Sequence, residues 1–322
     1  LAQEGKATVR GLIERHEIEC NLKAGLVNAA HNEEALKALA DETAHLNASY
    51  GYNDVRMMDA AEIASHLSTS IYPGGQFDAG GGHLHPLNYA RGLASVAEKA
   101  GAQIFEHSRA LHVEGGKVTC AQGTVTADRI LLACDAFTAS VAPQLAPYIA
   151  HVESFMVATA PLGEFLSRRL IPSDVAVADT RHVLDYYRKS ADGRLLFAGR
   201  ESYFSVPKDV ASIVRPRMVK VFPMLRDQPI EYAWSGTVGI TRTRMPHFGR
   251  IGERVFFAHG YSGHGVALAT LGGKLLAEAA QGKTERFDVF AKVPAKKFPG
   301  GPLLRKPLVT AALLWYKLQD AM

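Results

Sequence analysis

A glycine-rich segment in the last third of the chain has the residue types and spacing to bind a flat or anionic ligand. It runs Gly260-Tyr-Ser-Gly263-His-Gly265 and leads into an apolar stretch, from about His264 to Gln281, that predicts a helix. Glycine has no Cβ and adopts positive φ readily, so the backbone can approach a ligand closely. The first N–H groups of a helix are unpaired and carry partial positive charge, which favours an electron-rich ring or an anion.

Two continuous apolar runs, Ile130 to Ala133 and Val255 to Ala258, predict strands of the kind that are buried on both faces of a parallel sheet. Ligands of open α/β sheets gather beyond the carboxyl ends of such strands. We therefore expect Ala133-Cys134-Asp135 and His259-Gly260 to border one ligand.

The glycine-rich segment and its surroundings resemble the C-terminal signature of the FAD-dependent D-amino-acid-oxidase-like (DAO) oxidoreductases. The resemblance covers most of the chain and is carried by Trp234-Ser-Gly236, Arg244-Met-Pro246-His-Phe-Gly249, Val255-Phe-Phe-Ala258, Gly260 to Gly265, Gly80 to Ala90, Gly101 to Ile104 and Ile130 to Ala133. Three segments point to the gamma-glutamylputrescine oxidoreductase branch of this family: Gly80 to Ala90, Asp185-Tyr-Tyr-Arg188 and Phe298 to Arg305.

The resemblance implies that FAD is the cofactor and that its isoalloxazine ring lies against the turn. Main-chain atoms at Ala110 are implied to serve the adenosine side, and Ala133 borders the cofactor. A helix N-terminus beside the pyrimidine ring would stabilise negative charge on the reduced flavin and raise its potential. The residues implied to present main-chain groups to that ring are Gly260, Ser262, Gly263, His264, Gly265 and Val266.

The segment Asp185 to Arg188 lies in a predicted strand, where alternation places Tyr186 and Arg188 on one face and Tyr187 on the other. The resemblance implies an aromatic wall over the flavin, so Tyr186, Tyr187 and Arg200 are candidates for a desolvated slot that binds an amine. In the alternative interpretation, both tyrosines simply pack the sheet.

Two departures from the family pattern bear on the site. The amino-acid oxidases carry an arginine two residues after the glycine of the W-x-G segment, where it binds the substrate α-carboxylate, but this chain has Val238 there. That difference favours an amine over an α-amino acid. Asp135 replaces a commoner small or amide residue, which leaves its contact with the cofactor open.

The chain lacks a G-x-G-x-x-G turn of the kind that binds a dinucleotide pyrophosphate. We therefore expect an N-terminally truncated sequence of mixed α/β (α+β) class. Its Rossmann-like FAD-binding domain, residues 81–150 and 241–322, would lack the first βαβ unit. Residues 1–80 and 151–240 would form an antiparallel substrate domain.

Local patterns predict helices over about 35–46, 86–100 and 209–225, the last broken at Pro216 or Pro223. Short strands are predicted near 103–105, 110–113, 117–120 and 124–127.

Composition narrows the class of protein. The 322 residues are 47% hydrophobic and 21% charged, with a formal net charge of +4 and no block of basic residues, so nucleic acid is not expected as a partner. The three cysteines lack metal or disulfide spacing, and no apolar run reaches the length of a membrane span, which together predict a cytoplasmic protein.

His83-x-His85 lacks a third ligand at metal-site spacing; His83 is instead a candidate pocket residue.

These observations predict an FAD-dependent enzyme that oxidises the C–N bond of an amine by hydride transfer to flavin N5, with oxygen or another acceptor reoxidising the flavin. Two alternatives stay open. One is an amino-acid or sarcosine-type dehydrogenase that uses a non-oxygen acceptor, and the other is a non-catalytic remnant without cofactor.

Overall fold

The computed structural model describes residues 2–202 and 206–301, and beyond them residues 304, 307, 308, 310, 311 and 315. Its helices are α1 (Ala2–His16), α2 (Glu33–Tyr50), α3 (Ala60–His66), α4 (Pro86–Lys99), α5 (Thr138–Val141), α6 (Gly163–Leu170), α7 (Val210–Val221), α8 (Gly265–Ala280) and α9 (Glu285–Ala291). Its strands are β1 (Lys23–Ala29), β2 (Val55–Asp59), β3 (Gly74–His83), β4 (Ala110–Glu114), β5 (Lys117–Cys120), β6 (Thr124–Thr126), β7 (Ile130–Leu132), β8 (Ile149–Thr159), β9 (Ala176–Asp179), β10 (Tyr186–Lys189), β11 (Leu195–Ser202), β12 (Ile230–Thr241), β13 (His247–Ile251) and β14 (Val255–His259).

The helices that were predicted from periodicity are confirmed as α2, α4 and α8. The N-terminus of α2 shows the local physics, since the side chain of Asn32 accepts a hydrogen bond from the N–H of Ala35 at 2.8 Å. The predicted break near Pro223 is also confirmed: α7 ends at Val221 and a 3₁₀ turn begins at Pro223, whereas Pro216 lies inside α7.

The short strands predicted after α4 are confirmed as β4, β5 and β6, but the strand predicted over 103–105 is wrong. That segment is irregular, and Ile104 and Phe105 are 47% and 71% exposed. Its apolar residues resemble a strand locally, yet no neighbouring strand pairs with them among the described residues.

The chain divides into two compact units. The first contains residues 1–19, 86–152 and 237–311, and the second contains residues 20–85, 153–236 and 312–322, of which only part of the C-terminal stretch is described. The sequence predicted that all of residues 1–80 belong to the substrate domain. In the structure, however, α1 packs on α8 within the first unit. A Cβ at Gly5 would lie 2.9 Å from the carbonyl oxygen of Ala267, so the two helix backbones approach closely.

The first unit contains a three-stranded sheet in the order β13-β14-β7, with β14 and β7 parallel as predicted. Every residue of β14 is buried, which confirms its interpretation as a core strand. The same prediction is wrong for β7, where Leu131 is 39% exposed. A separate three-stranded antiparallel sheet is formed by β4, β5 and β6.

The second unit is built on an eight-stranded sheet in the order β12-β8-β11-β10-β9-β1-β3-β2. From β8 to β2, neighbouring strands pair antiparallel except β1 with β9, so the predicted antiparallel character is confirmed for this part of the sheet. The helix α7 covers one face of this sheet and contributes Val214 and Met218 to its core. Across the described residues, no helix is both long and apolar enough to span a bilayer.

Candidate functional site

The turn between β14 and α8 depends on backbone conformations that favour glycine. Gly260 has φ +74° and Gly263 has φ +92°, in the left-handed region. A Cβ at Gly260 would overlap the Cγ2 methyl of Thr241, whereas a Cβ at Gly263 would meet no atom within 4 Å. Close packing and φ therefore both require glycine at 260, and φ alone requires it at 263.

The carboxylate of Asp135 holds this turn in place. Its Oδ1 accepts hydrogen bonds from the N–H groups of Gly260 at 2.8 Å and Tyr261 at 3.4 Å, and its Oδ2 accepts one from Gly239 at 3.3 Å. Asp135 follows β7 and itself has φ +41°. One side chain thus joins the carboxyl ends of β7, β12 and β14, a role that the sequence had left open.

Part of the turn is directed inward. Ser262 is buried; its N–H donates to the Gly239 carbonyl at 3.0 Å and its Oγ donates to the Gly260 carbonyl at 3.2 Å. The N–H of His264 donates to the Tyr261 carbonyl at 3.0 Å. These amides stabilise the shape of the turn, so they are not free to bind a ligand.

The remaining amides of the turn fit an acceptor-rich ring. Gly263, Gly265 and Val266 donate to no acceptor among the residues that the structure describes, and no described side chain caps α8. Val266 is 45% exposed, so the tip is open to a ligand. A flavin offers carbonyl oxygens and ring nitrogens, and a helix N-terminus favours negative charge on them. These residues therefore fit the pyrimidine part of FAD.

The other positions implied by the family pattern lie in the same unit. Ala133 follows β7 and is exposed. Because β7 runs parallel to β14, with Leu132 opposite Phe257, Ala133 and Gly260 lie at the same edge of the sheet, as the sequence predicted. Ala110 begins β4, half-buried against the core.

A buried histidine pair supports the end of β14. His259 is fully buried, and its Nε2 lies 3.0 Å from Nδ1 of His247 on β13. Burial lowers the pKa of His247 to about 4, and burial together with His247 lowers the pKa of His259 to about 3. Both rings are therefore neutral at pH 7. Sequence reasoning missed this pair, since the two residues are opposite one another only through strand pairing.

In the second unit, Tyr187 is a core residue. Its ring stacks on Phe197 at 5.2 Å and meets the edge of Phe222 at 5.2 Å, and it is 3% exposed. Its hydroxyl lies 3.3 Å from that of Tyr72, in the same core. A ring enclosed in this way has almost no surface to offer a ligand, so the predicted pocket role does not hold for Tyr187.

Tyr186 occupies the opposite face of β10, as alternation predicted. It is half-buried, and its hydroxyl lies 2.6 Å from Oγ of Ser154. Burial raises the pKa of the Tyr186 phenol, so the hydroxyl is neutral at pH 7. The third predicted residue, Arg200, lies on β11 opposite Phe155, and its side chain falls outside the described part of the structure.

An ion-pair network fixes the start of β10. Asp185 is 1% exposed and binds Arg217 through Nε at 3.0 Å and Nη2 at 2.6 Å. Arg181 pairs with Asp179, and its Nη1 lies 3.8 Å from Asp185. Burial and the neighbouring Asp185 raise the pKa of Asp179 to about 6. The network is structural, since it anchors the strand that carries Tyr186.

The histidines before α4 have structural contacts. Nε2 of His83 lies 2.8 Å from the Asp174 carbonyl, and the N–H of His85 donates to the Cys20 carbonyl at 2.7 Å. The described residues contain no cluster of three potential metal ligands.

Comparison with known proteins places this geometry in context. Residues 1–279 match the family model described as "FAD dependent oxidoreductase" (DAO). The chain is 38% identical to the probable oxidoreductase OrdL of Haemophilus influenzae over 96% of its own length and 73% of that protein. It is 36% identical to the gamma-glutamylputrescine oxidoreductase of Escherichia coli K12 over 99% of its length and 76% of that protein.

Solved structures show the same fold. Glycine oxidase from Geobacillus kaustophilus superimposes with a TM-score of 0.76 at 22% identity, over 91% of this chain and 80% of that one. L-proline dehydrogenase from P. horikoshii superimposes with a TM-score of 0.74 at 19% identity, over 88% of this chain and 79% of that one.

Proposed function

This chain belongs to the DAO family of FAD-dependent oxidoreductases, and on that premise we propose that it oxidises the C–N bond of an amine of the gamma-glutamylputrescine type. The observation that carries the proposal is the turn at the N-terminus of α8. Its amides at Gly263, Gly265 and Val266, which have no acceptor in the part of the chain that the structure describes, suit the acceptors of a flavin ring, and Asp135 fixes the backbone that presents them.

When bound, FAD would supply at N5 an acceptor for the hydride that leaves the carbon next to the amine nitrogen, and water would convert the resulting imine to an aldehyde with release of ammonia. The protein's own contribution is to orient the substrate, to exclude water from it and to polarise the flavin. The N-terminus of α8 favours electron acceptance because its partial positive charge stabilises the negative charge that develops on the pyrimidine ring. The reaction needs no strong side-chain base, since the amine reacts in its unprotonated form.

Two observations support an amine as substrate. Val238 stands where the amino-acid oxidases of the family carry their carboxylate-binding arginine, so that mode of α-amino-acid binding is absent at this position. In the second unit, Tyr186 offers a half-buried aromatic edge beside Ser154 on the face opposite the core. An aromatic side chain of this kind can pack against the unbranched alkyl chain that carries the reacting amine.

The test is spectroscopic and uses the protein expressed from its own gene, with any sequence encoded upstream of Leu1 included. Purified protein is titrated anaerobically with gamma-glutamylputrescine and, in parallel, with glycine, sarcosine and D-alanine. We expect flavin absorbance that bleaches with gamma-glutamylputrescine and responds at least tenfold more slowly to the amino acids. Absorbance that is unchanged by the amine would refute the substrate assignment, and protein that carries no FAD would refute the cofactor assignment.

Oxygen is the proposed acceptor for the reduced flavin. Admitting air after bleaching should restore the oxidised spectrum within the time of one turnover. Reoxidation by a quinone-like dye but not by oxygen would assign the enzyme to the dehydrogenases instead.

A further inference from the structure

A cleft between the end of α1 and one face of α4 lies wholly within the first unit. Its volume is about 280 Å³, near the lower end of the range of small-molecule pockets, about 300–1,000 Å³. Its lining comes from residues 16–19 and from α4, and no residue of the turn between β14 and α8 contributes to it. The cleft therefore has its own set of side chains and a size that suits a small ligand.

One wall of the cleft is cationic. It is formed by α4, where Asn88, Arg91, Ser95 and Lys99 recur at spacings of three and four residues and so share one helix face. Arg91 and Lys99 are exposed, and neither charged group forms an ion pair with any residue that the structure describes. This wall therefore offers two cations, together with an amide and a hydroxyl, to a carboxylate.

The opposite wall is acidic. Glu17 and Glu19 follow α1, and both are exposed and form no ion pair within the described part of the chain. His16, the last residue of α1, borders the same wall. The carbonyl end of α1 adds partial negative charge to that of the glutamates. A cationic group is therefore favoured on this side of the cleft.

The floor between the two walls is apolar. Ile18 is buried against α4, and a Cβ at Gly92 would overlap its Cγ2 atom, so the chain approaches the helix closely there. Val96, one turn further along α4, is half-buried and also lines the cleft. An alkyl chain that crosses from one wall to the other would contact these carbon atoms, and burial of its methylene groups would favour binding.

We propose that this cleft binds a small zwitterion whose ammonium and carboxylate groups are separated by an unbranched alkyl chain, as in the ω-amino acids. Arg91 and Lys99 bind the carboxylate, and Glu17 and Glu19 bind the ammonium group. A ligand with a single charge is attracted by one wall and repelled by the other, whereas a zwitterion is attracted by both. The inference does not depend on the proposed function, since it involves no turnover.

The first test compares three probes on the wild-type protein, expressed whole from its own gene. Calorimetric titration at low ionic strength is carried out with δ-aminovalerate, with valerate, which lacks the ammonium group, and with n-pentylamine, which lacks the carboxylate. Flavin absorbance is recorded in parallel, so that binding beside the flavin is recognised and set apart. We expect δ-aminovalerate to bind at least tenfold more tightly than either of the other probes, without a change in the flavin spectrum.

The second test locates the bound probe. Arg91→Gln and Glu19→Gln each remove one of the exposed charges, and each should weaken δ-aminovalerate binding about threefold to tenfold. Ser95→Trp places a large side chain in the cleft and should abolish binding. The matched controls are Arg129→Gln, at an exposed position of the same unit, and Glu98→Gln, on α4 but outside the cleft, and both should leave binding unchanged.

Three results would overturn the proposal. One is that δ-aminovalerate does not bind, or binds no more tightly than valerate or n-pentylamine. Another is that Arg91→Gln, Glu19→Gln and Ser95→Trp all keep the wild-type affinity. The third is that the two control variants lose as much affinity as Arg91→Gln and Glu19→Gln, because the effect would then be one of net charge. The comparison of probes needs no substitution, so it decides the matter even if a variant does not fold.

Discussion

Oδ1 of Asp135 accepts a hydrogen bond from the N–H of Gly260 at 2.8 Å, across 125 residues of sequence. The same carboxylate binds Tyr261 and Gly239, so the ends of three strands meet at one acidic side chain. A ligand that contacts the turn is therefore bound by a backbone whose position depends on Asp135.

Asp135→Ala should weaken FAD binding at least tenfold, because it removes the acceptors of three main-chain donors at the turn. Hydrogen bonds to a charged group contribute about 1.5–3 kcal/mol each, so partial loss of order at the turn is enough for this effect. Asp135→Asn keeps one acceptor oxygen and should have a smaller effect. FAD titration followed by quenching of its fluorescence measures the change.

The matched control is Asp128→Ala, which removes an exposed carboxylate of the same unit. If that variant loses as much FAD affinity as Asp135→Ala, the effect is one of charge and the structural role of Asp135 is wrong.

Gly260→Ala should destabilise the fold more than Gly263→Ala. Both positions have positive φ, which costs a residue with a Cβ roughly 1–2 kcal/mol, but only the methyl at 260 would overlap Thr241. Overpacking adds about 1–3 kcal/mol. Urea unfolding of the two variants gives the comparison.

A rescue variant sharpens this prediction. Thr241→Ser removes the Cγ2 methyl but keeps the hydroxyl that donates to the Met245 carbonyl at 2.7 Å. Adding it to Gly260→Ala should recover the overpacking part of the loss, and a double variant no more stable than Gly260→Ala would contradict the packing argument.

Arg217→Ala should lower the free energy of unfolding by about 3–5 kcal/mol. Asp185 is almost fully buried, and removing its bidentate partner leaves a poorly compensated charge. The control is Arg168→Ala, because Arg168 and its partner Glu164 are both exposed. It should change the free energy of unfolding by less than about 1 kcal/mol. Similar losses in the two variants would show that the Asp185 pair contributes no more than a surface one.

The histidine pair predicts loss of stability in acid. An unfolded histidine has its pKa near 6.5, whereas burial holds that of His259 at about 3, so the unfolded state binds more protons between these values. Stability from this source is present above about pH 6.5 and falls as the pH is lowered. The loss for His259 is roughly 3 kcal/mol by pH 4.

His247→Gln/His259→Gln should flatten this part of the pH profile, measured by urea unfolding at intervals from pH 4 to pH 7. His107→Gln, at an exposed position, should retain the wild-type slope. A double variant with the wild-type slope would mean that the pair is not responsible.

Much of the architecture could be predicted from the sequence because its signals are local. The apolar run of β14 and the periodicity of α4 and α8 depend on residues adjacent in sequence, and those elements are confirmed. The segment with Ile104 and Phe105 shows the limit of such signals, since it has the composition of a strand but no described strand pairs with it.

For the candidate site, too, the sequence predicted only those features that depend on residues adjacent in the chain. The glycines at 260 and 263 are visible in the sequence because their chemistry is local. The role of Asp135 and the His247–His259 contact arise from strand pairing and could not be read from spacing. Alternation separated Tyr186 from Tyr187, but only the packing of Phe197 and Phe222 identifies Tyr187 as the buried one.

The central claim is that the turn from Gly260 to Val266 binds the flavin ring. Hydrogen–deuterium exchange of the whole protein, with FAD and after its removal, tests this claim most directly. We predict that FAD slows exchange in peptides covering residues 260–266, where the amides of Gly263, Gly265 and Val266 have no acceptor among the described residues. Binding of FAD with unchanged exchange in those peptides, and protection only elsewhere in the chain, would contradict the account.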